Sequence, residues 1–116
     1  MDSTADIYDA DELREEIEGD LGLLRELVDS FDRDTAGRMV RLRSAIQTGD
    51  VDLVRREGHA LKGGTGLFYA RTASATAASI EEMGITGDLS NARVAVDRLE
   101  REIGILRAEL DKLFKG

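Results

Sequence analysis

The chain has 116 residues, enough for one domain with a useful core, and it contains no cysteine, proline or tryptophan. The lack of cysteine excludes a disulfide framework and thiolate metal sites. The sequence has neither an apolar run of membrane-spanning length nor a charged-then-apolar leader, so we expect a cytoplasmic protein that does not enter a membrane.

The formal net charge of −8 is unevenly distributed. Residues 1–20 contain nine acidic side chains and one arginine, whereas the rest of the chain carries equal numbers of both signs. The segment from Arg38 to Arg71 has seven basic residues against three acidic ones. Nucleic-acid binding favours a strongly basic face with aromatic side chains, and the chain has only three Phe and two Tyr. We therefore expect no nucleic-acid partner.

The N-terminal part predicts a tail and a short helix. Residues 1–8 are expected to form a disordered tail, and residues 9–116 a single domain. A first helix is predicted over residues 9–17, with Asp9 or Asp11 as its N-cap and acidic residues in its first turn.

A long second helix follows the first. Asp20 caps it, and Gly49 closes it just before Asp50 caps the next helix. Its apolar face is marked by positions at helical spacing: Leu21, Leu24, Val28, Phe31, Thr35, Arg38 or Met39, Leu42 and Ile46.

The third helix carries an apolar stripe and several glycines. The stripe consists of Val51, Val54, Gly58, Leu61, Thr65 and Phe68. Each glycine in a helix interior costs about 1 kcal/mol relative to alanine, so a loop that begins at Gly63 is the alternative. Because the stripe continues in register through Phe68, we predict a helix over the whole segment. Gly58 and Thr65 face inward in this helix and allow another helix to come close.

Two more helices complete the predicted fold. The fourth, over residues 70–83, has an interior of small residues that permits close helix approach, and Gly84 and Gly87 are expected to end it. The fifth, over residues 90–114, has apolar residues in heptad spacing: Val96, Leu99, Ile103, Leu106, Leu110 and Leu113. No segment predicts a strand. The sequence indicates an all-α fold, an antiparallel four-helix bundle with a short additional N-terminal helix.

His59 is the only histidine and lies off the apolar stripe of the third helix. At 100° per residue, its neighbours on the helix surface include Arg55, Arg56, Lys62, Gly63 and Gly66. This face presents an imidazole, basic side chains and a smooth glycine strip. Only a partner would benefit from the missing side chains of Gly63 and Gly66.

His59-x-Leu61-Lys62-Gly63, on a helix of a small acidic all-helical chain, resembles the motif of histidine-containing phosphotransfer (HPt) domains of two-component phosphorelays. The resemblance covers roughly residues 9 to 114. It implies a phosphorelay intermediate that accepts a phosphoryl group on His59 from a receiver aspartate or a kinase and passes it to a response-regulator receiver. It also implies a phosphocarrier rather than an enzyme, with no nucleotide site or cofactor of its own. Any Mg²⁺ is expected on the partner receiver.

The resemblance further implies roles for neighbouring side chains. The similar domain of chemotaxis histidine kinases has a glutamate 22 residues after its histidine, a spacing that falls on Glu81. Glu81 would accept a hydrogen bond from Nδ1–H of His59 and leave Nε2 as the nucleophile; a solvated surface glutamate is the alternative. Lys62 would neutralise phosphoryl charge, with an ordinary exposed lysine as the alternative. From their positions on the exposed face, receiver contacts are expected at Arg55, Arg56, Gly63 and Gly66, with ordinary solvated side chains as the alternative for the two arginines.

Other functions fit the sequence less well. A phosphate loop needs lysine where Gly64 stands and a preceding strand, and di-iron or zinc sites need more than one histidine. A Ser-His-Asp hydrolase stays open, although no serine lies in an elbow motif. The main alternative is a non-catalytic interaction module that dimerises through the heptads of the last helix. A helix within a bundle has the same pattern, so we expect a monomer.

Overall fold

The computed structural model describes residues 7–115, which contain five α-helices and no strand. In chain order the helices are α1 (Ala10–Ile17), α2 (Leu21–Thr48), α3 (Val51–Gly66), α4 (Arg71–Thr86) and α5 (Ala92–Lys115). Within these residues, no helix is both long enough and apolar enough to cross a membrane. The all-helical fold predicted from the periodicity is confirmed.

Aspartates begin the first three helices, as the sequence predicts. The carboxylates of Asp9, Asp20 and Asp50 each accept a hydrogen bond from the backbone N–H three residues further on, at 3.0–3.1 Å. Each bond satisfies one of the N–H groups that a helix leaves open at its start. Gly49 and Gly87 follow α2 and α4 with φ of 75° and 82°, a left-handed conformation that glycine adopts without steric cost.

The glycine-rich segment of α3 is helical, but the helix is shorter than predicted. It ends at Gly66, and a turn follows in which Tyr69 has φ of 56°. Phe68 therefore lies outside the helix, yet only 1% of it is exposed because the turn brings its ring onto the core. There it packs edge-to-face on Phe31 of α2, with the ring centroids 5.2 Å apart. The prediction that the helix continues through Phe68 is wrong by two residues.

Gly84 does not end α4 as the sequence suggested. The helix runs on to Thr86, and Gly84 is buried within it against α3. Gly87, the second predicted terminator, is the residue that follows the helix. Local sequence alone does not distinguish a glycine that ends a helix from one that lets a second helix approach.

The predicted N-terminal tail lies mostly outside the described residues, because residues 1–6 are not among them. Its last two residues are part of the folded structure. Ile7 packs against the core, and only 6% of Tyr8 is exposed. The backbone N–H of Asp9 donates to the carbonyl of Tyr69 at 3.1 Å, which joins the start of α1 to the turn between α3 and α4.

One hydrophobic core contains the inward faces of all five helices. α3 packs most extensively against α4 and next against α2, while α5 packs against α4 and α2. The largest fully buried side chains are Phe68, Leu13, Leu24, Leu42, Leu61, Ile80, Leu99, Leu106, Leu110, Val28, Val54 and Val96. The close packing of α3 on α4 determines which side chains meet at the surface beside His59.

Candidate functional site

His59 of α3 meets Glu81 of α4 at the surface of the interface between the two helices. Nδ1 of His59 lies 2.9 Å from Oε2 of Glu81, although the two residues are 22 positions apart. The side chain of His59 is 65% exposed, whereas that of Glu81 is 17% exposed. Glu81 therefore holds one edge of an imidazole whose remainder faces outward. Glu82, the neighbouring carboxylate, is exposed.

The carboxylate of Glu81 is bound on both oxygens. Oε1 lies 3.1 Å from Nζ of Lys62, and Oε2 is the oxygen at His59. The hydrogen bond from Lys62 and, after it, the one from His59 lower the pKa of Glu81 below its ordinary value. The group is thus ionised at neutral pH and acts only as an acceptor.

This charge state determines the tautomer of the imidazole. Because an ionised carboxylate has no proton to give, Nδ1 of His59 donates in the 2.9 Å contact. In the neutral ring the proton is then on Nδ1, and Nε2 keeps its lone pair. A partly exposed ring with a free Nε2 is equipped to act as a nucleophile.

Lys62 lies beside His59 as the helical spacing predicts, but its ammonium group contacts Glu81. Its side chain is 41% exposed, so the ammonium stays within reach of solvent. The hydroxyl of Ser74 on α4 donates to the carbonyl of Lys62 at 3.3 Å and adds a second link between the helices near the site.

Arg55 and Arg56 are both engaged by Asp52 on their own helix. The distances from their guanidinium nitrogens to the Asp52 carboxylate are 3.0 Å in each case. All three side chains are at least 43% exposed, so these ion pairs are solvated surface contacts that add little to stability. In the structure Glu81 contacts both His59 and Lys62, whereas the two arginines contact Asp52.

Gly63 and Gly66 are exposed, as predicted for the outward face of α3. A Cβ atom added at Gly63 would meet nothing within 4 Å, so the surface there is open. Gly66 borders a groove between α3 and α4 of about 400 Å³, which we call the α3/α4 groove. Its lining residues are Lys62, Gly66, Tyr69, Ala70, Arg71, Ser74, Ala75 and Ala78.

The α4 side of this groove was not among the predicted site residues. Ser74 and Arg71 line it together with the turn residue Tyr69. The run of small residues in the fourth helix was a usable signal, because small side chains leave space at a helix surface. Only the packing of α4 on α3 shows that this space adjoins Lys62.

A buried ion pair anchors the opposite side of α3, two residues before His59. Glu57 is 5% exposed, and its carboxylate accepts from Arg38 at 2.8 Å and from Arg41 at 3.1 Å, both on α2. Arg38 also pairs with Asp34 at 2.7 Å. The sequence carried one trace of this network, since Arg38 falls on the apolar stripe of the second helix.

Comparisons with known proteins identify the family of the chain. The chain matches the sequence model described as the Hpt domain over residues 9–113. The chain belongs to the Hpt family. It is also similar to the crystal structure of histidine-containing phosphotransfer protein B (HptB) from Pseudomonas aeruginosa PAO1, with a TM-score of 0.83 and 28% sequence identity. That match covers 90% of this chain and 91% of HptB. No curated protein sequence matches the chain.

Membership of the Hpt family gives the chain its function, histidine phosphotransfer in a phosphorelay. Proteins of this kind are generally carriers, and they interact with receiver domains and histidine kinases. The resemblance first suggested by residues 59–63 is confirmed for the chain as a whole. Its only histidine lies in the site that α3 and α4 form together.

Proposed function

We propose that His59 is the phosphoacceptor of this Hpt domain, with Nε2 as the attacking atom. The contact of 2.9 Å between Nδ1 and Glu81 carries the proposal. It places the ring proton on the nitrogen that is held and leaves the other nitrogen free on a side chain that is 65% exposed. Glu81 is the residue that positions the imidazole.

The transfer step can be written from the receiver to His59. Nε2 attacks the phosphorus of the receiver's aspartyl phosphate, and the N–P bond forms while the P–O bond to the aspartate breaks. The aspartate leaves as a carboxylate with the bonding electron pair. Because Nδ1 keeps its proton, the ring becomes cationic, and the Glu81 carboxylate 2.9 Å away stabilises that charge. The reverse step delivers the phosphoryl group to a second receiver, and a kinase can serve as the first donor.

Lys62 can pair with two different anions during this cycle, the Glu81 carboxylate and the phosphoryl group. Its ammonium lies 3.1 Å from Glu81 in the unphosphorylated protein, where it keeps the carboxylate ionised. The lysine stem is flexible and follows His59 by one helical turn, so the ammonium can turn toward phosphoryl oxygens on Nε2. We assign Lys62 the neutralisation of phosphoryl charge, since phosphoryl transfer depends on positioning and charge stabilisation.

The receiver is proposed to dock over His59, Gly63 and the α3/α4 groove. The glycine strip lets the receiver backbone approach α3, and Lys62 and Arg71, which pair with Glu81 and Asp9 in the free chain, line the groove. Arg55 and Arg56 add positive potential beside this surface but are tied to Asp52. We propose that Mg²⁺ is supplied by the receiver and that the chain, a phosphocarrier without a nucleotide site, holds no cofactor of its own.

The four long helices are proposed to form an antiparallel bundle, with α1 as the short additional helix. Short connections join successive helices, and α2, α3, α4 and α5 contact one another in a closed ring of neighbours. We propose that the protein is a cytoplasmic monomer. The apolar heptad residues Val96, Leu99, Leu106 and Leu110 of α5 are buried in the chain's own core, which argues against their use in a dimer.

The direct test uses a receiver carrying labelled phosphate and the purified chain. The wild-type protein should acquire a label that is labile in acid and stable in alkali, as expected of phosphohistidine. His59→Gln should remove the label while circular dichroism shows an unchanged helical fold. Full labelling of a folded His59→Gln variant would overturn the assignment of His59 as phosphoacceptor. Separately, a native mass of two chains would contradict the proposed monomer.

A further inference from the structure

Two glycines bring the backbones of α3 and α4 unusually close at the site. A Cβ atom added at Gly58 would lie 2.7 Å from the backbone nitrogen of Glu81 and 3.0 Å from its Cα. One added at Gly84 would lie 2.7 Å from Cα of Arg55 and closer still to its backbone nitrogen. Real Cβ atoms essentially never come within 3.0 Å of such neighbours. Backbone atoms cannot rotate out of the way, so any added carbon must move a helix.

The two contacts are reciprocal and enclose the site. Gly58 of α3 faces the backbone of Glu81 on α4, and Gly84 of α4 faces the backbone of Arg55 on α3. Arg55 and Gly58 are three residues apart on α3, as are Glu81 and Gly84 on α4. Both contacts therefore lie along one line of closest approach between the helices. Gly58 directly precedes His59, and it meets the very residue that holds the imidazole.

The remaining helical glycines near the site have no comparable constraint. A Cβ atom at Gly63 would meet nothing within 4 Å, and one at Gly64 would meet the ring of Phe31 at an ordinary 3.6 Å. Gly104 in α5 is equally open. Glycine lowers helix propensity at all of these positions, but only at Gly58 and Gly84 does the neighbouring backbone exclude a side chain.

We propose that Gly58 and Gly84 are positioning residues for phosphotransfer, because they set the helix separation at which Glu81 reaches Nδ1 of His59. The proposal rests on the proposed role of His59 as phosphoacceptor. To bring an alanine Cβ at position 58 from 2.7 Å to an ordinary contact of 3.4 Å, the helices must separate by about 0.7 Å. A shift of that size along the same direction lengthens the 2.9 Å contact to about 3.6 Å, beyond hydrogen-bond range.

The test measures the ring nitrogens of His59 by ¹⁵N NMR in the free, folded protein. Gly58→Ala and Gly84→Ala should each lower the fraction of the tautomer with the proton on Nδ1, toward the value in Glu81→Ala, which has no acceptor at that position. Gly63→Ala and Gly104→Ala are matched controls that gain the same methyl group in open space. They should keep the wild-type tautomer and raise the melting temperature. A wild-type tautomer ratio in folded Gly58→Ala and Gly84→Ala would overturn the proposal.

A small phosphodonor extends the test to chemistry without a docking step. With phosphoramidate, Nε2 forms the N–P bond as the donor's P–N bond breaks and ammonia leaves. The labelling rate should fall at least fivefold in Gly58→Ala and stay unchanged in Gly104→Ala. If wild-type His59 is never labelled, the proposed function fails, whereas the tautomer measurement still decides the positioning role.

A measurement on the wild-type protein covers the case in which the alanine variants do not fold. The close approach predicts strong nuclear Overhauser effects from the Hα protons of Gly58 to the amide proton of Glu81. The same is expected from Gly84 to the amide of Arg55. Absence of both signals would overturn the proposal, because the backbones would then lie farther apart than the positioning role requires.

Discussion

Replacing Gly63 with glutamine separates receiver docking from the stability of the free protein. In the free protein a Cβ atom at position 63 would meet nothing within 4 Å and the position is exposed, so the helix gains propensity without a clash at the point of attachment. The expected gain in the free energy of unfolding is about 0.5–1 kcal/mol. For a domain of this size that corresponds to a rise in melting temperature of about 2–6 °C.

Phosphoryl transfer from the receiver should change in the opposite direction. Gly63 lies one helical turn beyond His59 on the exposed face, where the proposed docking brings the receiver close to α3. Reacting atoms must approach to about 3–3.5 Å, and a misplacement of about 1 Å can cost 100-fold in rate. We expect the transfer rate to fall at least tenfold, equivalent to about 1.4 kcal/mol in the barrier.

The assay is rapid-quench transfer from a labelled receiver, with melting temperature measured on the same samples. Gly104→Gln is the matched control, since it adds the same side chain at an open position of α5. It should give a similar gain in stability and an unchanged transfer rate. Labelling of Gly63→Gln by phosphoramidate should match wild type, because the small donor needs no docking surface. Unchanged transfer from the receiver to folded Gly63→Gln would refute the docking geometry.

Two further predictions concern the charged groups around α3. Replacing both Arg38 and Arg41 with methionine leaves the Glu57 carboxylate buried and without these partners. Urea denaturation should then show that the free energy of unfolding falls by about 2–4 kcal/mol. This loss is smaller than for a fully buried pair because both arginines are partly exposed. Adding Glu57→Leu should recover most of that loss, and a loss below about 0.5 kcal/mol would show that the pair is not needed. The contacts of Glu81 with Lys62 and His59 lower the pKa of its carboxyl group. The stability that these contacts contribute is therefore present above the unfolded-state pKa near 4.5, and it is lost as the pH falls through the lower folded-state pKa. The urea midpoint of wild type should therefore exceed that of Glu81→Gln above pH 4.5 and converge with it in stronger acid. Lys62→Met should raise the pH at which the Glu81 carboxyl titrates in ¹³C NMR. A titration of Glu81 that Lys62→Met leaves unmoved would contradict the 3.1 Å contact.

Helix starts and stops could be predicted where their cause is local. The aspartates at 9, 20 and 50 cap helices through their own side chains, and Gly49 and Gly87 adopt the left-handed conformation themselves. The third helix was predicted to continue through Phe68 because a turn returns this residue to the core at nearly the spacing of the helical stripe. Its burial was correctly expected, but the conformation of the turn was not.

Features whose cause lies on another helix could not be predicted in the same way. Gly84 resembles a terminator in its own sequence, and only the backbone of Arg55 explains why a glycine is needed there. Glu57 likewise finds its partners 16 and 19 residues earlier, on α2. The sequence next to Gly84 or Glu57 contains no pattern that identifies either partner.

Prediction of the candidate site involved both local spacing on α3 and a contact between α3 and α4. The spacing predicted that Lys62 and Gly63 share the face of His59; in the structure Gly63 is exposed and Lys62 contacts Glu81, the residue that also contacts His59. The pairing with Glu81 came from the family resemblance, and the structure contains that contact. The contact between Lys62 and Glu81 was not expected, because the sequence analysis considered the lysine only as a partner of phosphate.

Nuclear magnetic resonance of the phosphorylated protein tests the central claim most directly. The uniformly ¹⁵N-labelled chain, loaded from its receiver or from phosphoramidate, should show one ³¹P–¹⁵N coupling, to Nε2 of His59. Nδ1 should remain protonated, consistent with its contact to Glu81. A phosphoryl group on Nδ1 of His59, or on any carboxylate of the chain, would contradict the account.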